Sequence, residues 1–171
     1  MKSVFKATNV RPSNWNPHDN NLGDCTTRAM TYCLGGEMSY DEIEAEQYAI
    51  GNRMGKVRNA VGVWDKVLTN RGYGWIQLDR VYVRHYIAET LGGFENAMVT
   101  ISSGHACAIH RGEVIDTWDS RGGRVYGLLV KTDDIDEVLV RLQLNGINAE
   151  PTQKPTKPKK RKVVRRIFRV Y

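Results

Sequence analysis

Apolar residues change their spacing about halfway along the chain. In the first half they recur at helical intervals, and in the second they alternate in short runs. A helix is expected from Cys25 to the glycine stop at Gly35-Gly36. Ser39-Tyr40-Asp41-Glu42 reads as a capping box that opens a second helix, running to about Met54. Asn59 is the expected cap of a third, carrying Trp64, Val67 and Leu68 towards Gly72. Gly74 to Leu78 reads as a short strand. Val81 to Leu91 is ambiguous: its first three residues favour a strand, but Tyr86 to Leu91 before Gly92-Gly93 favours a helix, to which the segment is assigned.

Strands follow at Met98–Ile101, His105–His110, Glu113–Trp118 and Val125–Val130. Arg111-Gly112 is short enough to close a two-residue hairpin between the second and third of these. A last helix is expected from Asp133 or Asp134, with Ile135, Val138, Leu139 and Leu142 on one face and a stop at Asn145-Gly146. At the other end, residues 2–8 suit a strand, and residues 9–24 are rich in Asn, Pro, Asp and Gly and read as a long loop. The order of elements points to an α+β fold, with N-terminal helices packed on a C-terminal antiparallel sheet.

Charge divides the chain in two. The net charge is +6 over 171 residues, yet residues 151–171 hold nine Lys or Arg and no acid. The remaining sixteen basic residues face nineteen acids, so residues 1–150 are mildly acidic. A globular domain over 1–150 and a basic linker and tail over 151–171 are therefore expected. The three cysteines are odd in number and lie in no CxxC pair, so neither a disulfide framework nor a metal site is indicated, and no cofactor is implied. No apolar run is long enough for a membrane span, and the N-terminus lacks a signal-peptide core, so a cytoplasmic protein is expected.

Candidate chemistry centres on Leu22-Gly23-Asp24-Cys25-Thr26-Thr27-Arg28. A cysteine in the first turn of a helix faces unpaired N–H groups and the positive end of the macrodipole. Both favour thiolate over thiol. A thiolate nucleophile needs a base, and the base needs an acceptor that orients it. His105 opens a strand directly after the small residues Ser102-Ser103-Gly104. If Arg111-Gly112 is a two-residue loop, His110 pairs with Glu113. Asp116 then becomes the diagonal neighbour of His105, within reach of its ring. A one-residue slip would put Asp116 on the opposite face, and Asp119 is the alternative acid. The same register sets Trp118 opposite His105, where it could shield the His–Asp bond from water.

The stretches Gly23-Asp24-Cys25, His105-Ala106-Cys107-Ala108-Ile109 and Asp116-Thr117-Trp118, in that order, resemble the papain-like cysteine peptidase superfamily in a short, phage-like form. The resemblance spans roughly residues 20–130. It implies a papain-like fold with a central helix beginning at a catalytic Cys25, with His105 as base and Asp116 as the orienting acid. It also implies a thiol hydrolase acting on a peptide, isopeptide or glutamine amide bond of a peptide or protein substrate. The sequence departs from the family in two places. No glutamine precedes the cysteine, leaving the amides of Asn20 and Asn21 for the oxyanion hole, and an aspartate stands where papain has asparagine.

The tail admits several readings. Lys159, Lys160, Arg161, Lys162, Arg165 and Arg166 could grip nucleic acid phosphates. Pro158 to Val163 has the form of a nuclear-import signal, relevant only in a eukaryotic setting. The interspersed Val163, Val164, Ile167, Phe168, Val170 and Tyr171 could add a strand to a partner's sheet. Docking on a protein partner or a virion assembly is favoured among these. A second class of function follows from it: a catalytically inactive papain-fold protein that binds through its tail.

Overall fold

The computed structural model describes residues 4–7 and 23–153. Asn20, Asn21 and the six basic tail residues Lys159, Lys160, Arg161, Lys162, Arg165 and Arg166 lie outside the described residues, as do the tail readings built on them.

Strand β1 (Val4–Ala7) is followed by helices α1 (Cys25–Cys33), α2 (Tyr40–Met54) and α3 (Val61–Thr69). Then come β2 (Tyr73–Val83), α4 (Arg84–Thr90), β3 (Met98–Ser102), β4 (His105–His110), β5 (Glu113–Asp116) and β6 (Arg124–Lys131). A 3-10 turn over Thr132–Asp134 leads into α5 (Ile135–Leu144), and β7 (Ala149–Thr152) closes the described chain. The fold is α+β. Its seven strands lie in the order β1-β5-β4-β3-β6-β2-β7. Only the β1–β5 pair is parallel; the other neighbours are antiparallel.

Local chemistry accounts for the helix ends. The Ser39 hydroxyl accepts from the Glu42 N–H, and the Glu42 carboxylate accepts from the Ser39 N–H at 2.8 Å, completing the capping box. Gly55 ends α2 at φ 61°, a left-handed value that suits glycine. The third helix differs from expectation. It starts at Val61, its N-cap position is Ala60 rather than Asn59, and no side chain accepts a cap bond there. Val81 to Val83 also depart from the expected helix: they complete the long strand β2, and the helix begins only at Arg84. Tyr82 and Val83, an aromatic and a β-branched residue, pair with Val125 and Arg124 of β6, and this pairing outweighs local helical preference. At the far end Pro151 and Thr152, assigned to the linker, pair with β2. Proline is tolerated there because β7 is an edge strand.

Helices cover both faces of the sheet. On one face Met30, Ile43, Val63, Trp64 and Leu68 of α1–α3 pack on Trp75, Val99, Ile101 and Leu129. On the other, Ile87 of α4 and Val138 and Leu142 of α5 pack on Ile76, Leu78, Ile109 and Leu128. The alternation Trp75-Ile76 and Leu128-Leu129 sends neighbouring residues to opposite cores. Burying each such aliphatic side chain contributes roughly 1.5–3 kcal/mol. Trp64 and Trp75, both expected in the core, meet edge to face at 5.8 Å.

Candidate active site

The hairpin decides which residues meet. Arg111 and Gly112 carry φ 50° and 80°, the positive pair that a two-residue type I′ turn requires. His110 pairs with Glu113, Ile109 with Val114 and Ala108 with Ile115. That register makes Asp116 the diagonal neighbour of His105, and the two side chains meet: His105 Nε2 lies 2.6 Å from Asp116 Oδ2.

Cys25 is the first residue of α1 and is partly exposed. Its thiol lies beside the His105 ring and the Ala106 backbone N–H. Because Nε2 is engaged by Asp116, Nδ1 is the ring nitrogen left to the sulfur. Burial opposes ionisation of the thiol, but the bonds to His105 and Ala106 and the charges of His105 and Arg28 outweigh it. They hold Cys25 below the ordinary thiol value. Burial likewise opposes charge on His105, and the bonds to Asp116 and Cys25 overcome it, raising the ring to about 9. Burial pushes the Asp116 carboxyl up. Bonds from His105, Ser120 and the Thr117 N–H, together with the charge on His105, more than offset this and bring it to about 2. The imidazolium therefore favours both anions, the thiolate and the carboxylate, and each of them favours the imidazolium. The other two thiols behave differently, since burial pushes both Cys33 and Cys107 up.

Asp24 precedes the cysteine but does not cap its helix. Its Oδ1 accepts from Arg28 Nε at 3.0 Å and its Oδ2 from the Tyr40 hydroxyl at 3.0 Å. The same Arg28 donates through one terminal nitrogen to Asp116 Oδ1 at 3.0 Å and to Thr117 Oγ1 at 2.9 Å. Arg28 thus ties the cysteine-bearing turn to the acid on β5. Sequence reasoning missed Arg28, Tyr40 and the buried Ser120. A hint for Arg28 was present: it sits one turn after Cys25 on the same helix face.

The remaining candidates sort plainly. Asp119, the alternative acid, is exposed and forms an ion pair with Arg121 at 2.8 Å. The expected strand to Trp118 is shorter and ends at Asp116, so Trp118 is not a cross-strand partner of His105. Its ring nevertheless lies 5.2 Å from the His105 ring, tilted by 42°, and is itself 55% exposed. It covers one side of the imidazole from outside the sheet. His110 bonds the Tyr32 hydroxyl and the Glu95 carbonyl, away from Cys25.

Two cavities flank the pair. One, of about 140 Å³, is lined by Cys25, Asn59, Val61, Trp64, Ile101 and Gly104, with His105 at its edge. The other, of about 400 Å³, lies between His105 and Trp118 and reaches Arg84 and Arg124. Among the described residues no cluster of His, Cys, Asp and Glu could hold a metal ion, and no helix is long and apolar enough to cross a membrane.

Comparison with protein-family models, with curated proteins and with solved structures returns no match. The functional reading rests on this geometry.

Proposed function

We propose that the protein is a papain-like thiol hydrolase that cleaves a peptide, isopeptide or glutamine amide bond through Cys25, His105 and Asp116. The observation that carries this reading is the chain of contacts from a helix-initial thiol to His105 and on, at 2.6 Å, to a buried carboxylate. Two elements far apart in sequence supply it, as nucleophile, base and orienting acid require.

The Cys25 sulfur attacks the carbonyl carbon as a thiolate while His105 holds the proton. The Cys25 N–H, which has no intrahelical partner at the start of α1, stabilises the oxyanion. As the tetrahedral species collapses, His105 Nδ1 gives its proton to the departing nitrogen, the C–N bond breaks, and a thioester forms. Water then attacks the thioester, His105 takes its proton, and the carboxylic acid leaves as Cys25 is regenerated. Asp116 does not exchange a proton. It fixes the tautomer and plane of His105 and favours the imidazolium.

Iodoacetamide alkylation between about pH 4 and pH 9, with the labelled cysteine located by mass spectrometry, tests the reading. Selective labelling of Cys25 with an apparent pKa well below the ordinary ~8.5, shifted upwards in His105→Ala, is expected. A Cys25 that is inert, or that titrates as a free thiol indifferent to His105, overturns it.

A further inference from the structure

Arg84 is the unusual charge in this molecule. It opens α4, yet its residue is only 1% exposed. Its Nε donates to Thr100 Oγ1 at 3.1 Å, and its terminal nitrogens donate to the Ser120 carbonyl and to Ser102 Oγ. All three acceptors are neutral. The guanidinium carries five N–H donors, so two are left over, and no carboxylate among the described residues pairs with it. Asp116 makes no bond to it; its oxygens take Arg28, the Thr117 N–H and His105. A buried cation without a counter-charge costs several kcal/mol, and the fold nonetheless makes room for this one. At Gly123 a Cβ would stand 2.3 Å from the Arg84 terminal nitrogen, so only glycine fits against it.

Arg84 is one of the residues that line the cavity of about 400 Å³. Arg124, exposed and without an ion pair among the described residues, stands at its rim. Val81, Trp118 and Tyr126 form the walls, and no acid lines it. Its position relative to the chemistry is informative. A substrate's acyl carbon bonds to the Cys25 sulfur, and the departing nitrogen receives a proton from His105. The leaving group therefore extends past His105, and this cavity lies on that side.

We propose that the Arg84–Arg124 cavity binds a carboxylate of the substrate's leaving group, so that the enzyme prefers bonds followed by an acidic side chain or a free C-terminal carboxylate. The inference rests on the hydrolase reading above. The substrate carboxylate supplies the counter-charge that the fold withholds from Arg84, and the aromatic walls hold the chain beside it. Discrimination arises because a neutral isostere leaves the buried guanidinium unpaired.

Two thiol reagents of equal shape provide the test: N-iodoacetyl-glutamic acid α-amide and N-iodoacetyl-glutamine α-amide, which differ by one carboxylate against one carboxamide. The ratio of their alkylation rates at Cys25, divided by the same ratio for free cysteine, is expected to be at least about ten-fold in favour of the glutamate reagent. Arg124→Gln and Arg84→Gln should each move that internal ratio towards one, and Arg124→Gln, at an exposed position, keeps the test independent of folding. N-iodoacetyl-glycine, which bears a terminal carboxylate, separates a free C-terminus from an acidic side chain when compared with its amide. A ratio near one in the wild-type protein, or a preference that persists in both arginine variants, overturns the inference. Plain iodoacetamide separates the two failures: a His105-dependent Cys25 without carboxylate preference leaves the hydrolase reading standing, whereas an unreactive Cys25 removes both.

Discussion

Arg28 and His105 share one carboxylate: Asp116 takes Arg28 on Oδ1 at 3.0 Å and His105 on Oδ2 at 2.6 Å. Both oxygens are engaged, one from α1 and one from the neighbouring strand β4, so the plane of the carboxylate is fixed, and with it the plane of the imidazole. Arg28 also holds Asp24, directly before Cys25. It acts as a positioning residue that sets helix α1 against strand β5. Arg28→Met should raise the apparent pKa of Cys25, because a cation that favours the thiolate is lost. Arg28→Lys should restore part of that shift without the two-way bridge, since a lysine cannot span both acids in a fixed plane. Alkylation-rate profiles against pH for the three proteins check this. Superimposable profiles would show that Arg28 serves folding alone.

The acid itself has a different signature. Asp116→Asn keeps a hydrogen-bond acceptor beside His105 but removes the charge that helps raise the ring to about 9. The histidine should then titrate closer to its ordinary value, and the upper pH limit of Cys25 activation should move down with it. Asp116→Ala, which removes orientation as well, should lower turnover by roughly a hundred-fold or more. Titration of the His105 ring resonances by NMR reads the first effect directly.

Stability should show the same pair from both sides of neutrality. Asp116 falls to about 2 in the folded chain. Its contribution is present above the ordinary Asp value and is lost as pH falls through about 2. His105 is raised to about 9, so its contribution is complete below the ordinary His value and is lost as pH rises through about 9. Between those ordinary values both contributions stand, and wild-type stability should be flat with respect to this pair. Denaturant midpoints of the wild type and Asp116→Asn, measured from about pH 2 to above about pH 9, should differ most on the plateau and draw closer towards both extremes.

The hairpin was legible in the sequence because two strand-like runs meet across a short link, although a one-residue slip stayed open until the positive φ of Arg111 and Gly112 showed a two-residue turn. That register was enough to bring Asp116 to His105. Partners chosen over long distances were not legible. Arg28 reaches an acid 88 positions away, and nothing local marks that choice. β5 ends at Asp116, which leaves Trp118 outside the sheet, and beyond it the Ser120 carbonyl accepts from the buried Arg84. A buried arginine cannot be told from a surface one by its neighbours in sequence. The helix expected from Val81 failed for a related reason, since pairing with β6 decided that segment.

The register of the site depends on one turn, and Gly112 is where it can be broken. Its φ of 80° is costly for any residue with a Cβ, and a Cβ there would also stand 3.1 Å from the Gly92 Cα. Arg111 before it already holds a left-handed value and is tied to Glu95. Gly112→Ala should therefore destabilise the protein by about 1–2 kcal/mol, read as a lower denaturant midpoint. The informative measurement is the reactivity of Cys25 at pH 6 in the fraction that remains folded. If the turn merely stores strain, that fraction keeps the wild-type alkylation rate. If the hairpin slips by one residue to relieve the strain, Asp116 turns away from His105, and Cys25 titrates as an ordinary thiol although the chain is still folded. The expected result is the first, because Val114 is fully buried in one core with Ile109 and a slip of β5 would turn it to the other face of the sheet.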